Sequence, residues 1–342
     1  MIPRPRTQPV QSSRSHVALF NSRNLRFALA PRLFLLAAAA IMLPFSLLRA
    51  STVTWDASGS SAGSPTDGLG TWSTGNANWS NGSVDSNWSN TNNTDNAVFG
   101  NGGTAGTVTV SGGVNVGNIT FKPVASGAYT IASSTVTLTT GTIEVDAASA
   151  TISSQVSGGV GLVKSGTGSL TLSSANNYTG GTTLSAGTLS LGSTTALSSG
   201  TLTLSGGTLS DTLGSAVANN INVTASTTTT LAGGVGGSFM LLSGAITGGG
   251  TIQTDATGDN IRFSGNNSGF TGTFISQAGN GGGVLEQRQC NERRGGLADQ
   301  RSCCLKRRWN IQSWLARGNW LASGGQRCGC IFHRRAQHEH DL

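Results

Sequence analysis

Residues 51–283 contain no cysteine and no histidine. That absence excludes a disulfide framework, a Cys/His metal site, a Ser-His-Asp triad and any Cys or His nucleophile or base in this stretch. Charge is scarce as well. Only 10% of the 342 residues are charged and 6% aromatic, against about 25% charged in an ordinary soluble domain. Mean hydropathy is near zero, which excludes a bundle of spanning helices. Glu, Lys, Arg and Gln are too few for an all-helical chain or an ordinary α/β enzyme. Their place is taken by Ser, Thr, Asn and 50 Gly. A Thr/Gly-rich β protein or a disordered low-complexity chain remains.

The net charge of +7 is unevenly spread. Residues 1–50 hold seven Arg and no acid. Residues 51–283 hold three basic groups (Lys122, Lys164, Arg262) and nine acidic ones. Residues 284–342 hold eleven basic and five acidic groups. The body is mildly acidic, so a nucleic-acid partner is not expected there. Arg23, Arg26 and Arg32 precede an apolar run, 33–48, and Leu48-Arg49-Ala50 leads into a polar stretch. This is the order of a secretory signal peptide, with a long n-region. The run is shorter than the roughly 20 residues of a spanning helix and holds Pro44. Cleavage after export is expected. The alternative is an uncleaved 33–48 that tethers the chain, which would be its one contact with a membrane.

From 101 to 283 one unit recurs: Gly, Thr or Ser, then apolar, polar, apolar. Copies begin at Gly106, Gly141, Gly168, Gly187 and Gly200, and shorter ones at Gly207, Gly250 and Gly272. Further strands fit Val114–Val116, Ile119–Phe121, Tyr129–Ile131 and Val136–Leu138. Period-2 alternation predicts half-buried strands. It points Leu170 and Leu189 inward and Thr171 outward. Strands this short, with Gly/Ser/Asn bends rather than Asn-Gly hairpins and few core aromatics, favour a β-solenoid over a sandwich or barrel. One coil of roughly 20 residues cannot offset its own backbone ordering, so coils must stack. At about 20 residues per coil the segment gives roughly nine coils in a rod of about 45 Å.

One stretch, 161–192, is more specific. Gly161-Leu-Val-Lys164-Ser-Gly166-Thr-Gly168-Ser-Leu170-Thr-Leu172 runs on through Asn176, Tyr178, Gly180 and Gly181. It closes on Gly187-Thr-Leu189-Ser-Leu191. This resembles the autotransporter-associated β-strand repeat. A degraded copy lies near 264–276, where Phe270 stands for Tyr178 and one Gly of the pair is missing. The resemblance implies a right-handed parallel β-helix of a passenger secreted to a bacterial surface, and no catalysis. Such passengers normally continue to a translocator barrel or a sorting anchor, neither of which is visible here.

The head, 51–100, is rich in Trp and Asn. Trp55, Trp72, Trp79 and Trp88 form either a cap over the first coil's open edge or a sugar-stacking surface. Asp255, Asp259 and Arg262 could suggest a polysaccharide-lyase site but read as a solvated bend. The Asn-x-Ser/Thr triplets, Asn118-Ile-Thr and Asn222-Val-Thr among them, are expected by chance in this composition.

Residues 284–342 break the pattern. They hold all five Cys, three of four His and no Thr. Cys328, Cys330, His333, His338 and His340, with Cys290, Cys303 and Cys304, fit no standard zinc spacing, so no metal and no cofactor are expected. The segment reads as an irregular tail produced by a shifted reading frame, or disordered. The expectation is a truncated, exported, non-catalytic and adhesin-like β-helical protein, secreted or at the bacterial surface. Its partners would be a cell-surface or matrix polysaccharide or other β-solenoid chains. A carbohydrate-binding protein using the head Trp residues, or a polysaccharide-active enzyme, are the alternatives.

Overall fold

A computed structural model describes residues 50–91, 94–211, 213–214, 216–233, 239–255 and 261–275. It also describes the strands Val284–Gln289, Leu305–Asn310 and Ala322–Ser323. All of these belong to the second of two units, Leu48–Leu342. The expected export signal with its apolar run 33–48, Asp259, and the Cys and His residues of the tail lie outside the described residues.

The described chain is all-β and contains no helix. About eight turns stack through parallel strands on two long faces and an interrupted third. Every strand expected from the alternation is present, within a residue or two at its ends. A coil is not a fixed 20 residues. Paired positions are 19 residues apart between Leu202 and Ile221 and 25 apart between Ile221 and Ile246. Bends of different length absorb the difference while the strands keep register.

Two faces are eleven-stranded sheets. On the first, the inward file runs Ile119, Ile143, Lys164, Leu184, Leu204, Val223. On the second it runs Ala150, Leu170, Leu189, Leu209, Leu231. All of these are buried. Leu170 points inward and Thr171 outward, as the alternation requires. The third face is interrupted. It has three strands at Val114–Val116, Val136–Leu138 and Val156–Ser157, and three more at Ala216–Val217, Met240–Leu242 and Ile261–Phe263. The two coils between them, 162–181 and 182–201, have no strand on this side.

The first coil begins with β1 (Thr52–Trp55) and β2 (Gly70–Trp72), which pair in parallel with Asn96–Phe99 and Thr107–Val110. The outer edge of β1 is covered by an antiparallel hairpin, β3 (Trp79–Ser80) and β4 (Asp85–Ser86). An exposed parallel edge would template association with another chain. A reversed strand two residues long ends the ladder and leaves little edge behind.

Three strands of the tail are described. Val284–Gln289 and Leu305–Asn310 pair antiparallel over six positions, and Ala322–Ser323 pairs antiparallel with Thr273–Phe274. Backbone pairing satisfies N–H and C=O groups without any period-2 pattern in the side chains, so its absence did not preclude these strands.

Candidate functional site

The repeat signature collects at the two coils that lack a third-face strand. Asn176 does there what a strand would do. Its Oδ1 accepts the backbone N–H of Val156 at 2.7 Å, and its Nδ2 donates to the carbonyl of Ala196 at 2.7 Å. One side chain thereby joins the coils on both sides of it. Tyr178 packs fully buried beside it, its hydroxyl 2.6 Å from Thr182 Oγ1. Burial pushes the Tyr178 phenol up to about 12, with the Thr182 hydrogen bond pulling the other way.

Lys164 stands in the inward file between Ile143 and Leu184 and is fully buried. Its ammonium curls to the corner and donates to three carbonyls: Ser165 at 2.7 Å, Gly166 at 3.0 Å and Ala186 at 3.2 Å. Three acceptors match the three donors of an ammonium. Burial brings the Lys164 amine down to about 8, against the attraction of Asp146 and Glu144. Gly187 makes the seat possible. A Cβ there would lie 2.8 Å from Lys164 Nζ and 2.4 Å from the Gly168 carbonyl. Gly168 is equally constrained, since its Cβ would lie 1.8 Å from the Ala147 carbonyl. Gly161, Gly166, Gly180 and Gly181 line neighbouring corners where coil passes over coil. Leu172 and Leu191 are buried with Leu170 and Leu189.

The asparagine device recurs beyond the signature. Asn90 accepts from Asn115 N at 2.9 Å, Asn96 from Asn118 N at 2.9 Å, and Asn118 from Thr142 N at 3.0 Å. Asn220 accepts from Ala245 N at 3.2 Å, and Asn267, in the degraded copy, from Ile246 N at 3.0 Å. The triplet at Asn118, set down to chance, thus marks a corner ligature between coils.

The four head tryptophans meet, but not at a surface. Trp55, Trp72 and Trp79 are fully buried and Trp88 nearly so. Ring centroids lie 5.4 Å apart for Trp55–Trp79, 4.9 Å for Trp72–Trp88 and 4.7 Å for Trp79–Trp88, and Trp55, Trp72 and Trp79 also pack against Phe99. Rings buried in this way present no face to a sugar, so the stacking-surface reading of these residues is corrected. They plug the end of the core, and each aromatic pair adds about 0.5–1.5 kcal/mol beyond its buried area.

Two carboxylates organise the loop between β1 and β2. Asp56 is buried and accepts from the backbone N–H groups of Ser58, Ser61 and Thr66 and from the hydroxyls of Ser58 and Thr66. Burial alone would raise its carboxyl. The hydrogen bonds from Thr66, Ser58 and Ser61 outweigh that and hold it at about 2. Burial and the Asp56 charge raise Asp85. Asp67 ties the loop to later coils, accepting from Asn101 N, Gly103 N and the Tyr129 hydroxyl at 2.8, 2.6 and 2.6 Å. Burial and that bond to Asp67 push the Tyr129 phenol well above its ordinary value.

The second face carries the most regular exposed chemistry. Its outward side chains stack in two files. One is Thr107, Thr130, Thr151, Thr171, Ser190 and Ser210. The other is Ser149, Ser169, Thr188, Thr208 and Thr230. Neighbours in a file are about 4.7–4.9 Å apart, the spacing of hydrogen-bonded strands. No outward position of the described strands on this face is charged. Among the described residues no group of three His, Cys, Asp or Glu is placed to hold a metal ion. Asp255 and Arg262 fall on different faces of one turn, just after Thr251–Thr254 and within Ile261–Phe263.

Residues 162–191 match the model of a family described as passenger-associated-transport-repeat. Over 149 residues, 42% of this chain, the sequence is 40% identical to the adhesin BmaC autotransporter of Brucella suis biovar 1 (strain 1330). The match spans 4% of that protein's length. No solved structure matches the chain. The chain carries an autotransporter passenger repeat, built into the stretch of its β-solenoid where side chains replace the third-face strands.

Proposed function

We propose that this chain is a non-catalytic, adhesin-type passenger segment displayed at a bacterial surface, and that the second face of the solenoid is its contact surface. The observation that carries this reading is the pair of in-register hydroxyl files from Thr107 to Ser210 and from Ser149 to Thr230. A single exposed hydroxyl contributes little, since it exchanges one hydrogen bond with water for another. A rigid array offers many at once with little ordering cost, which suits multivalent attachment. The similarity to an adhesin autotransporter supports the same reading. Display at the surface accords with the export signal expected in 1–50.

The test couples the full chain to beads and measures their attachment to mammalian cell layers and to immobilised neutral polysaccharides. Soluble products are assayed in parallel. Attachment without release of reducing ends or unsaturated sugars is the expected result. Sustained product release would replace the adhesive reading with an enzymatic one, and absence of attachment to every surface would remove it.

A further inference from the structure

We propose that Asn81–Gly82, at the tip of the β3–β4 hairpin, is a self-modifying site. There the fold promotes deamidation, and the conversion opens the capped end of the solenoid. Three observations converge on it. The electrophile is prepared: Asn81 Oδ1 accepts two backbone N–H groups, from Ser83 and from Val84, both at 3.0 Å. The nucleophile is unhindered: Gly82 has φ +88° and no Cβ beside its nitrogen, whose N–H donates to Ser80 Oγ at 3.0 Å. The site is wet, because Asn81 and Gly82 are both exposed.

The chemistry follows from that layout. Solvent hydroxide removes the Gly82 amide proton, and the nitrogen attacks Asn81 Cγ to close a five-membered ring. Negative charge gathers on Oδ1, where the Ser83 and Val84 N–H groups stabilise it as an oxyanion hole would. The Cγ–Nδ2 bond breaks and ammonia leaves with a proton taken from water. A water molecule then opens the succinimide at either carbonyl. The product is aspartate or isoaspartate, and the net reaction consumes one water and releases one ammonia.

Asn101–Gly102 has the same dipeptide and the opposite surroundings. The Asn101 amide nitrogen, which would be the leaving group, donates to the Pro65 carbonyl at 2.8 Å. Its backbone N–H and that of Gly103 both point to Asp67 Oδ2. A negative carboxylate at that position opposes further negative charge. Of the two Asn-Gly pairs among the described residues, the structure therefore activates one and protects the other.

Conversion at 81 has a structural consequence. Isoaspartate inserts a methylene into the main chain at the hairpin tip, against the register Ser80↔Asp85 and Trp79↔Ser86. Either product adds a negative charge to a hairpin that already brings Asp85 near Asp56. β3 is the strand that covers β1, so loosening the hairpin exposes a parallel edge able to pair with another chain.

The experiment incubates the full chain at mildly alkaline pH, folded and in concentrated urea, and follows both sites by peptide mapping. In the folded protein Asn81 is expected to convert at least about tenfold faster than Asn101, a modest fraction of what positioned oxyanion donors supply in a dry site. In urea the two rates are expected to converge. Equal rates in the folded protein, or the same ratio in urea, would overturn the proposal. Gly82→Ala serves as the second variant, and a folded Gly82→Ala chain that converts as fast as the parent would also overturn it. Backbone hydrogen exchange at Thr52–Trp55 should rise with the converted fraction. Unchanged protection there would refute the opening of the cap.

Discussion

Lys164 reaches across one coil to the carbonyl of Ala186, 3.2 Å from its ammonium, while its Cα pairs with Leu184 in a file of aliphatic side chains. A cation thereby occupies a core position, which is tolerated only because every donor is matched. Lys164→Met keeps the volume and removes the donors, leaving the Ser165, Gly166 and Ala186 carbonyls without this partner. A loss of about 1–3 kcal/mol in urea unfolding is expected, the cost of stranding buried acceptors.

The same lysine sets an alkaline signature. Its amine lies at about 8 in the folded protein against 10.5 ordinarily. Between those values the unfolded chain binds more protons than the folded one, so stability rises with pH. Tyr129 and Tyr178 act oppositely, because their phenols are raised above 10.0 and the unfolded chain ionises first. The melting temperature should climb from about pH 8, pass a maximum near pH 10 and then fall. In Lys164→Met the climb should vanish and the fall should remain.

Acid acts at the other end of the molecule. Asp56 lies at about 2 folded against 3.8 ordinarily. Its contribution is complete above the higher value and disappears as pH falls through the lower one. Tryptophan fluorescence, which reports the packed rings next to it, should shift between pH 4 and pH 2. In Asp56→Asn the head should already be loosened at neutral pH, because one carboxylate oxygen and the charge are lost from five hydrogen bonds.

Facing along the second sheet is tested by one pair of neighbours. Leu170→Asp puts a charge in a stacked core and should abolish cooperative unfolding or cost more than about 3 kcal/mol. Thr171→Asp, one residue on and outward, should stay within about 1 kcal/mol of the parent. Equal effects would mean that the assigned facing is wrong.

Much of this was legible in the residues. Leu170, Thr171 and Leu189 declare their facing because a strand has period 2, and the alternation lasts several coils. Corner chemistry is another matter. Asn118, Asn176 and Asn267 act on the backbone of a coil about twenty residues away, a distance that no local pattern encodes. Period 2 puts Lys164 on the same side as Leu162, but only its three carbonyls explain how a cation sits there. The tryptophans showed that something aromatic sits at the head, but burial decides between a plug and a binding surface, and burial is a property of the fold.

The contact surface itself is tested most directly by placing charge in one file without touching the core. Thr171 and Ser190 are Cα partners on adjacent strands, both outward. The double variant Thr171→Lys with Ser190→Lys should keep its β-sheet circular dichroism and its melting temperature, while bead attachment falls to the level of uncoated beads. Full attachment by the folded double variant would contradict the assignment of this face.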